Sequence, residues 1–279
     1  MGNYLTTVLV NDTHIGHDQG LKSDTAMTEK GKKSEFANSN QEVLWEAWKE
    51  FCKKYKNPDI LILNGDIPDL MSIRSREDEM WTKDAGAIRN EAVKLMKMLN
   101  AKKIYVIKGT PAHVDAEHLT LERDIARDLN AFTYQNKQLF NFALIDLAPK
   151  QAQERALYHV THHINVTTNW YRGTAPAKAT VSLMLNESHF IDRKIWKKIV
   201  GIIRGHVHHY WYEESDSRRM IINPCWEMAT NWMIQKMPET PPDIGSTILQ
   251  HHIDGTFDKQ RYRVPVDKLR PPVFRGYEN

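Results

Sequence analysis

The sequence predicts an α/β protein with one functional site at the edge of a sheet. Runs of β-branched and apolar residues alternate along the chain with segments of helical spacing. This alternation is typical of sheets whose strands are at least partly parallel and covered by helices. Five of the strand-like runs end in acidic or histidine residues. Because ligands of such sheets bind beyond the carboxyl ends of the strands, we expect these side chains to converge.

Five segments have the apolar spacing of helices. The clearest covers residues 41–56, where the apolar side chains form one stripe that ends before Asn57-Pro58. Residues 84–99 repeat this pattern, which is that of an amphipathic helix packed on a sheet. The remaining predicted helices cover residues 117–130, 176–187 and 192–198.

Five predicted strands lead to the site. They cover residues 4–10, 59–63, 103–107, 156–160 and 199–204. In the same order, the residues beyond them that can bind a metal or transfer a proton are Asp12 and His14, Asp66 and Asp69, Thr110 and His113, His162 and His163, and His206 and His208. Residues two apart in an extended chain point to the same side, so each pair with that spacing can face one place.

The last part of the chain predicts antiparallel pairing. Residues 218–222, 246–253 and 260–264 have strand-like composition, and Asp254-Gly255 is a hairpin signal. We expect a second sheet from these strands. The polar stretch 16–40 has no clear period, and it is predicted to form a long loop near the mouth of the site.

Length and composition favour a single catalytic domain. The five clusters extend from position 12 to position 208 of 279 residues, so we place one domain at residues 1–264 and a Pro-rich surface tail at 265–279. A net charge of +3 is too even for a dedicated polyanion-binding protein. No apolar run reaches the length of a membrane span, and the two cysteines have neither metal-knuckle nor disulfide spacing. We therefore expect a cytoplasmic protein that does not bind a membrane.

Together, the motifs resemble those of the calcineurin-like metallophosphoesterases. In order and approximate spacing, the matching motifs are Asp12-x-His14, Gly65-Asp66, a glycine-led loop ending in His113, His162-His163 and Gly205-His206-x-His208. They span about three-quarters of the chain. The resemblance implies a four-layer α-β-β-α sandwich of two mixed β-sheets flanked by helices, with the metal site at the C-terminal ends of the strands.

The resemblance also implies a binuclear metal centre. The ligands implied for the first cation are Asp12, His14, Asp66 and His208. Those implied for the second are the bridging Asp66, His206 and one of His162 and His163, of which we favour His163. Mixed imidazole and carboxylate ligands suit Mn, Fe or Zn better than Ca or Mg. We favour two manganese ions, with iron and zinc as alternatives.

The third motif departs from the family pattern. The family usually has Gly-Asn-His, with the asparagine oxygen on the second metal, whereas Gly109-Thr110-Pro111-Ala112-His113 lacks the asparagine and has two additional residues. Three arrangements follow: Thr110 coordinates weakly, water fills the position, or His113 itself binds the metal. In each case we expect the second cation to bind less tightly than the first.

The resemblance implies hydrolysis of a phosphoester bond. Asp69 stands three residues beyond Asp66, as in the phosphoprotein phosphatase branch, where an aspartate at that place orients the motif histidine. A carboxylate partner fixes a histidine tautomer and raises its basicity. The expected reaction is in-line attack on phosphorus by a metal-activated hydroxide, with His113 protonating the departing alcohol. Arg172 is a candidate contact of the substrate phosphate.

Three functions are compatible with these residues. The first is a phosphomonoesterase or phosphodiesterase that acts on a small phosphoester. The second is a nuclease that acts on the ends of DNA or RNA, although the balanced charge counts against a long duplex footprint. The third is a non-catalytic binding scaffold of the same fold, and the altered third motif is its only support.

Overall fold

The structure, a computed structural model, describes most of the chain. The described residues are 3–28, 30–70, 79–116, 119–164, 173–192, 194, 196, 198–215, 218–236 and 240–264. The candidate phosphate contact Arg172 and the Pro-rich tail 265–279 lie outside these residues.

The described residues form strands and helices that alternate through much of the chain. The strands are β1 (Tyr4–Val10), β2 (Ile60–Asn64), β3 (Lys103–Ile107), β4 (Asp115–Ala116), β5 (Leu119–Thr120), β6 (Leu139–Phe140), β7 (Ala143–Asp146), β8 (Leu157–Val160), β9 (Gly201–Arg204), β10 (Trp211–Ser215), β11 (Arg218–Ile222), β12 (Gly245–His252) and β13 (Phe257–Arg263). The α-helices are α1 (Ser39–Lys54), α2 (Ala85–Lys97), α3 (Pro111–Val114), α4 (Leu121–Asp128), α5 (Thr174–Asn186) and α6 (Asn231–Lys236), and Glu187–His189 is a 3₁₀-helix.

Six strands form the first sheet, in the order β13-β12-β1-β2-β3-β6. Strands β1, β2, β3 and β6 run parallel, whereas β12 and β13 pair in antiparallel fashion along the β1 edge. Parallel neighbours require long crossover connections. Helix α1 lies in the connection between β1 and β2, and α2 lies in the connection between β2 and β3.

Strand β2 is buried on both faces, which explains its continuous apolar run. Leu61 and Leu63 belong to the core that packs against α1, α2 and α4. Ile60 and Ile62 point to the opposite face and belong to the core between the two sheets. The strand therefore lies in the middle of the molecule, and its carboxyl end delivers Asp66 to the interior.

Five strands form the second sheet, in the order β10-β11-β9-β8-β7. Strands β8, β9 and β11 run parallel, and the two outer strands are antiparallel to their neighbours. Leu9 of β1 packs with Tyr158 and Ile203 of the second sheet in the core between the sheets. On the outer face, Ile202 packs in a third core with Leu183 of α5.

The layers follow in the order α1, α2 and α4, first sheet, second sheet, and α5. Both sheets contain parallel and antiparallel pairs. The predicted four-layer sandwich of two mixed sheets flanked by helices is confirmed. Among the described helices, none has the length and apolar character needed to cross a membrane.

Some local predictions differ from the structure. The helix predicted over 117–130 begins at Leu121, because β4 and β5 form a two-stranded ribbon just before it. The strands after position 218 do not form one sheet: β11 lies parallel to β9 in the second sheet, whereas β12 and β13 extend the first. The predicted helix at 192–198 contains residues 193, 195 and 197, which lie outside the described part of the chain.

Candidate metal centre

The backbone just beyond the strand ends adopts an unusual conformation. Among the described residues, φ is positive at Asp12 (48°), His14 (42°), Asp66 (51°), His206 (75°) and His208 (52°). The other described non-glycine residues with positive φ are all asparagine or glutamine. A left-handed conformation costs a non-glycine residue energy, and such residues persist where the surrounding structure over-determines them, often at functional sites. The conformation turns all five candidate ligands away from their strand directions.

Hydrogen bonds between the β1 and β2 exits hold this conformation. The N–H of Asp12 donates to the carbonyl of Gly65 at 3.0 Å, and the N–H of His14 donates to the carbonyl of Asp66 at 3.1 Å. The N–H of Trp226 donates to the carbonyl of Asp12 at 2.9 Å. The exit from β1 is therefore fixed on two sides, by the loop after β2 and by the segment after β11.

Asp12, His14 and His208 form a first group of potential ligands. Asp12 Oδ2 accepts hydrogen bonds from the Asn11 amide and, at 3.0 Å, from the N–H of His206. Asp12 Oδ1 and His14 Nε2 are buried and have no hydrogen-bond partner. His208 Nε2 lies 3.3 Å from Asp12 Oδ1. Hydrogen bonds hold Asp12 through Oδ2 and His14 through Nδ1. The atoms without a hydrogen bond, Asp12 Oδ1 and His14 Nε2, lie close together, as they would around a cation.

Asp66, His162 and His206 form a second group. His162 Nε2 lies 2.9 Å from Asp66 Oδ2, and His206 Nδ1 lies 4.0 Å from the same oxygen. His162 Nε2 is also 3.7 Å from Asp12 Oδ1, an oxygen of the first group. The two groups are therefore adjacent rather than separate sites.

The structure brings His162, rather than the favoured His163, into the second group. His162 is fully buried, and its Nδ1–H donates to the carbonyl of Asn64 at 2.6 Å, which directs Nε2 toward Asp66. His163 is exposed, and its ring packs against the rings of His162 and His206 at 5.2 and 5.0 Å between centroids. His162, not His163, is the member of the pair that lies among the second group.

Thr110 lies beside the second group. Its hydroxyl donates to Asp66 Oδ2 at 3.0 Å and lies 3.2 Å from His206 Nδ1. Its backbone N–H donates to Asp66 Oδ1 at 2.5 Å. The altered third motif therefore places a neutral oxygen against the atoms of the second group, and it anchors the Asp66 carboxylate from the backbone.

Asp69 connects two histidines. Its Oδ1 lies 3.0 Å from His113 Nδ1, and its Oδ2 lies 3.1 Å from His14 Nδ1. Burial alone would lower the pKa of His113 and raise that of Asp69, but their hydrogen bond and attraction outweigh burial and shift these pKa values to about 8 and about 2. His113 is not a member of the group that contains Asp12 or of the group that contains Asp66. The His113 and His14 rings pack edge to face.

Two motif glycines are required by close contacts with these side chains. Gly65 has a φ of +84°, and a Cβ at this position would lie 2.5 Å from the ring of His162. A Cβ at Gly109 would lie 2.2 Å from Asp66 Oδ1. The Gly-Asp and Gly-Thr sequences therefore contain glycine because the ligand side chains occupy the space where a Cβ would be.

Protonation balances the charge of the carboxylates. Burial would raise the pKa values of Asp12 and Asp66, but the neighbouring histidines, with His162 the largest contributor to both, hold these pKa values below the ordinary range. Burial would lower the pKa of His162, but Asp66 and Asp12 raise it to about 9. The pKa of His208 is also raised, against the effect of burial, by Cys225 and Asp12. The positive charge now carried by protons is the charge that a bound cation would supply.

Three buried residues near the centre were not identified from the sequence. Glu227, which lies between the apolar residues Trp226 and Met228, is within 4 Å of His14, His17 and His208. Glu122 accepts the N–H groups of Gly109 and Ile67 at 2.7 and 3.2 Å. The one available signal for Glu227 was an acidic residue within an apolar run, since unpaired acidic residues are almost never buried.

His17 is the third buried residue of this region. It lies three positions after His14 in the sequence and was not a predicted site residue, yet it forms a group of potential ligands with Asp69 and Glu227. Burial lowers its pKa, but Asp18, Glu227 and Asp69 outweigh this effect and raise it to about 9. A protonated His17 therefore offsets part of the negative charge behind the first group.

The donor set fits divalent transition metals. The two groups offer carboxylate oxygens and imidazole nitrogens, which suit Mn, Fe or Zn. The buried, unpartnered Asp12 Oδ1 and His14 Nε2 are the atoms that most need such a partner, because an unsatisfied buried polar atom is costly. The metal-binding capacity predicted from the motifs is supported at the level of these residue groups.

Comparisons with known proteins give similarity of structure only. No protein-family profile matches the sequence, and no curated protein matches it. A novel archaeal phosphodiesterase has a TM-score of 0.44 and 12% identity, covering 92% of this chain and 100% of that chain. A single mutant of Vps29 from Entamoeba histolytica has a TM-score of 0.41 and 12% identity, covering 93% and 99%. A predicted phosphoesterase from Streptococcus pneumoniae has a TM-score of 0.37 and 10% identity, covering 94% and 100%.

Function must therefore be argued from the site itself. In its sandwich architecture and in the order of its site motifs, the protein resembles the calcineurin-like metallophosphoesterases.

Proposed function

We propose that the protein is a metal-dependent hydrolase of phosphoester bonds that uses two divalent cations. The observation that carries this proposal is the adjacency of the two ligand groups. Asp12 Oδ1 lies 3.3 Å from His208 Nε2 in its own group and 3.7 Å from His162 Nε2 in the other. Two-metal hydrolases hold their cations about 3.5 to 4 Å apart. At that separation, ligand atoms of one cation must lie next to ligand atoms of the other.

Each cation has its own set of residues. The first would be held by Asp12, His14, Asp66 and His208. The second would be held by Asp66, His162 and His206, with the Thr110 hydroxyl beside it. Bound divalent cations supply Lewis acidity, lower the pKa of a coordinated water and stabilise charge on phosphoryl oxygens. The protein supplies the separation, through the strand exits that fix both carboxylates.

The two positions differ in their ligands. The second set has a neutral hydroxyl where a stronger donor would give tighter binding, and that hydroxyl is already engaged with Asp66 and His206. We propose that the second cation binds less tightly than the first. Manganese is the cation we propose for both positions, with iron and zinc as alternatives, because all three accept mixed imidazole and carboxylate ligands.

His113 is proposed as the acid that protonates the leaving group. Asp69 holds its Nδ1 at 3.0 Å, so Nε2 is the nitrogen available for proton transfer. The His113 side chain is 19% exposed, whereas that of Asp69 is 1% exposed. The histidine can therefore meet a substrate while its carboxylate partner stays buried, an arrangement suited to general acid catalysis.

The proposed substrate is a small phosphoester or the end of a nucleic acid, and the proposed compartment is the cytoplasm. The net charge of +3 over 279 residues supports a compact substrate more than a long duplex. The substrate class can be assigned by measuring the rates of hydrolysis of a phosphomonoester, a phosphodiester and a short oligonucleotide.

The two-metal proposal predicts the behaviour of Asp66→Asn. The wild-type protein should bind two Mn²⁺ per chain by mass spectrometry and hydrolyse bis-nitrophenyl or mono-nitrophenyl phosphate in their presence. Loss of the shared carboxylate should remove at least one cation and reduce the rate by at least about 100-fold, since cation charge stabilises the transition state. Asp254→Asn, at an exposed carboxylate in the β12–β13 turn, is the control. A wild-type protein with neither metal nor turnover would refute the proposal.

The acid role predicts a dependence on the leaving group. His113→Ala should slow an alkyl phosphoester, whose alkoxide leaves poorly, far more than a nitrophenyl ester. His189→Ala, at an exposed histidine, should leave both rates unchanged. Because the acid form is lost as pH rises through the His113 pKa of about 8, the wild-type rate with the alkyl ester should fall above that pH. Equal slowing of both esters by His113→Ala would contradict the role.

Proton competition predicts that metal affinity rises with pH. The raised pKa values of His162 and His208 mean that a cation must displace protons from both. The apparent affinity for Mn²⁺ should therefore increase steadily between about pH 6 and about pH 9. Titration calorimetry in two buffers of different ionisation enthalpy measures the protons released. An affinity independent of pH, without proton release, would exclude these imidazoles as ligands.

A further inference from the structure

Two histidines of the cation groups share a pattern at the nitrogen that points away from the candidate ligands. His14 places Nδ1 against Asp69 Oδ2 at 3.1 Å, and His162 places Nδ1 against the carbonyl of Asn64 at 2.6 Å. In both residues the acceptor on Nδ1 leaves Nε2 as the nitrogen that faces the ligand group. Such partners fix the tautomer of a metal-binding histidine and raise its basicity.

His208 also directs Nε2 toward the ligand group, and its buried Nδ1, which has no hydrogen-bond partner, faces Glu227. His208 Nε2 lies 3.3 Å from Asp12 Oδ1, and His208 Nδ1 lies 3.4 Å from Glu227 Oε2. Glu227 is 3% exposed. Its ion-pair contacts among the described residues are with histidines alone, namely His14, His17 and His208. A buried carboxylate is costly unless it is paired, so its place beside these rings needs a function.

The backbone fixes Glu227 relative to the first group. The N–H of its neighbour Trp226 donates to the carbonyl of Asp12 at 2.9 Å, and the Trp226 ring donates through Nε1 to Ser246 Oγ at 2.9 Å. The thiol of Cys225 donates to the carbonyl of Glu227 at 3.3 Å. Asp12 and Glu227 therefore face different nitrogens of the His208 ring.

We propose that Glu227 is a positioning residue for the first cation: it accepts the Nδ1–H of His208 and so presents the Nε2 lone pair to the cation held with Asp12 and His14. This inference rests on the proposed two-metal site and adds a residue that the motifs do not contain. The other carboxylate oxygen of Glu227, Oε1, lies 3.8 Å from His17 Nδ1. This contact helps to hold the Glu227 carboxylate in place.

Glu79 provides a matched control. It is also a largely buried carboxylate near His17, with Oε2 4.0 Å from His17 Nε2, and its Oε1 accepts from the Asn231 amide at 2.9 Å. Its ion pair is with His17, whereas Glu227 also faces His14 and His208. Glu79→Gln therefore removes a buried carboxylate from the same region while Glu227 stays beside His208.

The test measures zinc binding and the His208 tautomer without turnover. In the zinc-loaded wild-type protein, long-range ¹H–¹⁵N spectra should show His208 protonated on Nδ1 and bound through Nε2. Glu227→Met, which has no acceptor for this N–H, should weaken the tighter zinc-binding step by about 10- to 100-fold in chelator competition. Glu227→Gln, whose amide oxygen can still accept, should restore most of the affinity, and Glu79→Gln should match the wild type.

The outcomes separate this inference from the proposed function. Zinc bound as tightly by Glu227→Met as by the wild type, or a His208 protonated on Nε2, would overturn the role of Glu227 while leaving the two-metal hydrolase intact. Normal zinc binding with the predicted tautomer but no phosphoester hydrolysis would refute the hydrolase and retain the positioning role. The wild-type tautomer decides the question even if Glu227→Met fails to fold.

Discussion

The site depends on one backbone constraint: the chain leaves β1, β2 and β9 in left-handed conformations at residues that also carry ligand side chains. The positive φ values of Asp12, Asp66 and His206 each cost on the order of 1–3 kcal/mol. Hydrogen bonds from the β1 exit to the β2 exit, and from Trp226 to Asp12, offset part of this cost. The sandwich supports the turns after β1 and β2 because each of these two strands is buried on both faces. The chain segments that leave them therefore cannot move independently of the core.

The same constraint orders the chemistry of the side chains. Asp12 is held through Oδ2 and His14 through Nδ1, so Oδ1 and Nε2 are left as the free atoms. Asp69 holds both His14 and His113, and this shared carboxylate links the first cation position to the proposed acid. Glycine is needed at position 109 because Asp66 fills the space beside it. The candidate metal ligands and the proposed acid therefore share one hydrogen-bonded framework.

The sequence was sufficient for the order of the strands and helices near the site and for most of the residues that the structure groups there. Strand ends marked by Asp12, Asp66 and His206 could be located because apolar runs stop there and polar ligands begin. The sequence could not distinguish His162 from His163, because the two-residue alternation no longer applies beyond the end of β8 and a long-range contact of His162 with Asn64 turns that ring inward.

Other features depend on contacts between distant parts of the chain. Strands β12 and β13 join the first sheet because β12 pairs with β1, more than 230 positions away, and no local pattern encodes that partner. Glu227 was not predicted as a site residue because its neighbours Trp226 and Met228 are apolar, a pattern typical of core packing. Only the folded chain shows that its carboxylate meets three histidines.

Anomalous diffraction from crystals soaked with Mn²⁺ would locate the proposed cations. We expect two peaks about 3.5–4 Å apart, one bounded by Asp12, His14 and His208 and the other by Asp66, His162 and His206, with lower occupancy at the second. The absence of a peak at either position, or a peak coordinated by His163 in place of His162, would refute the proposed two-cation site.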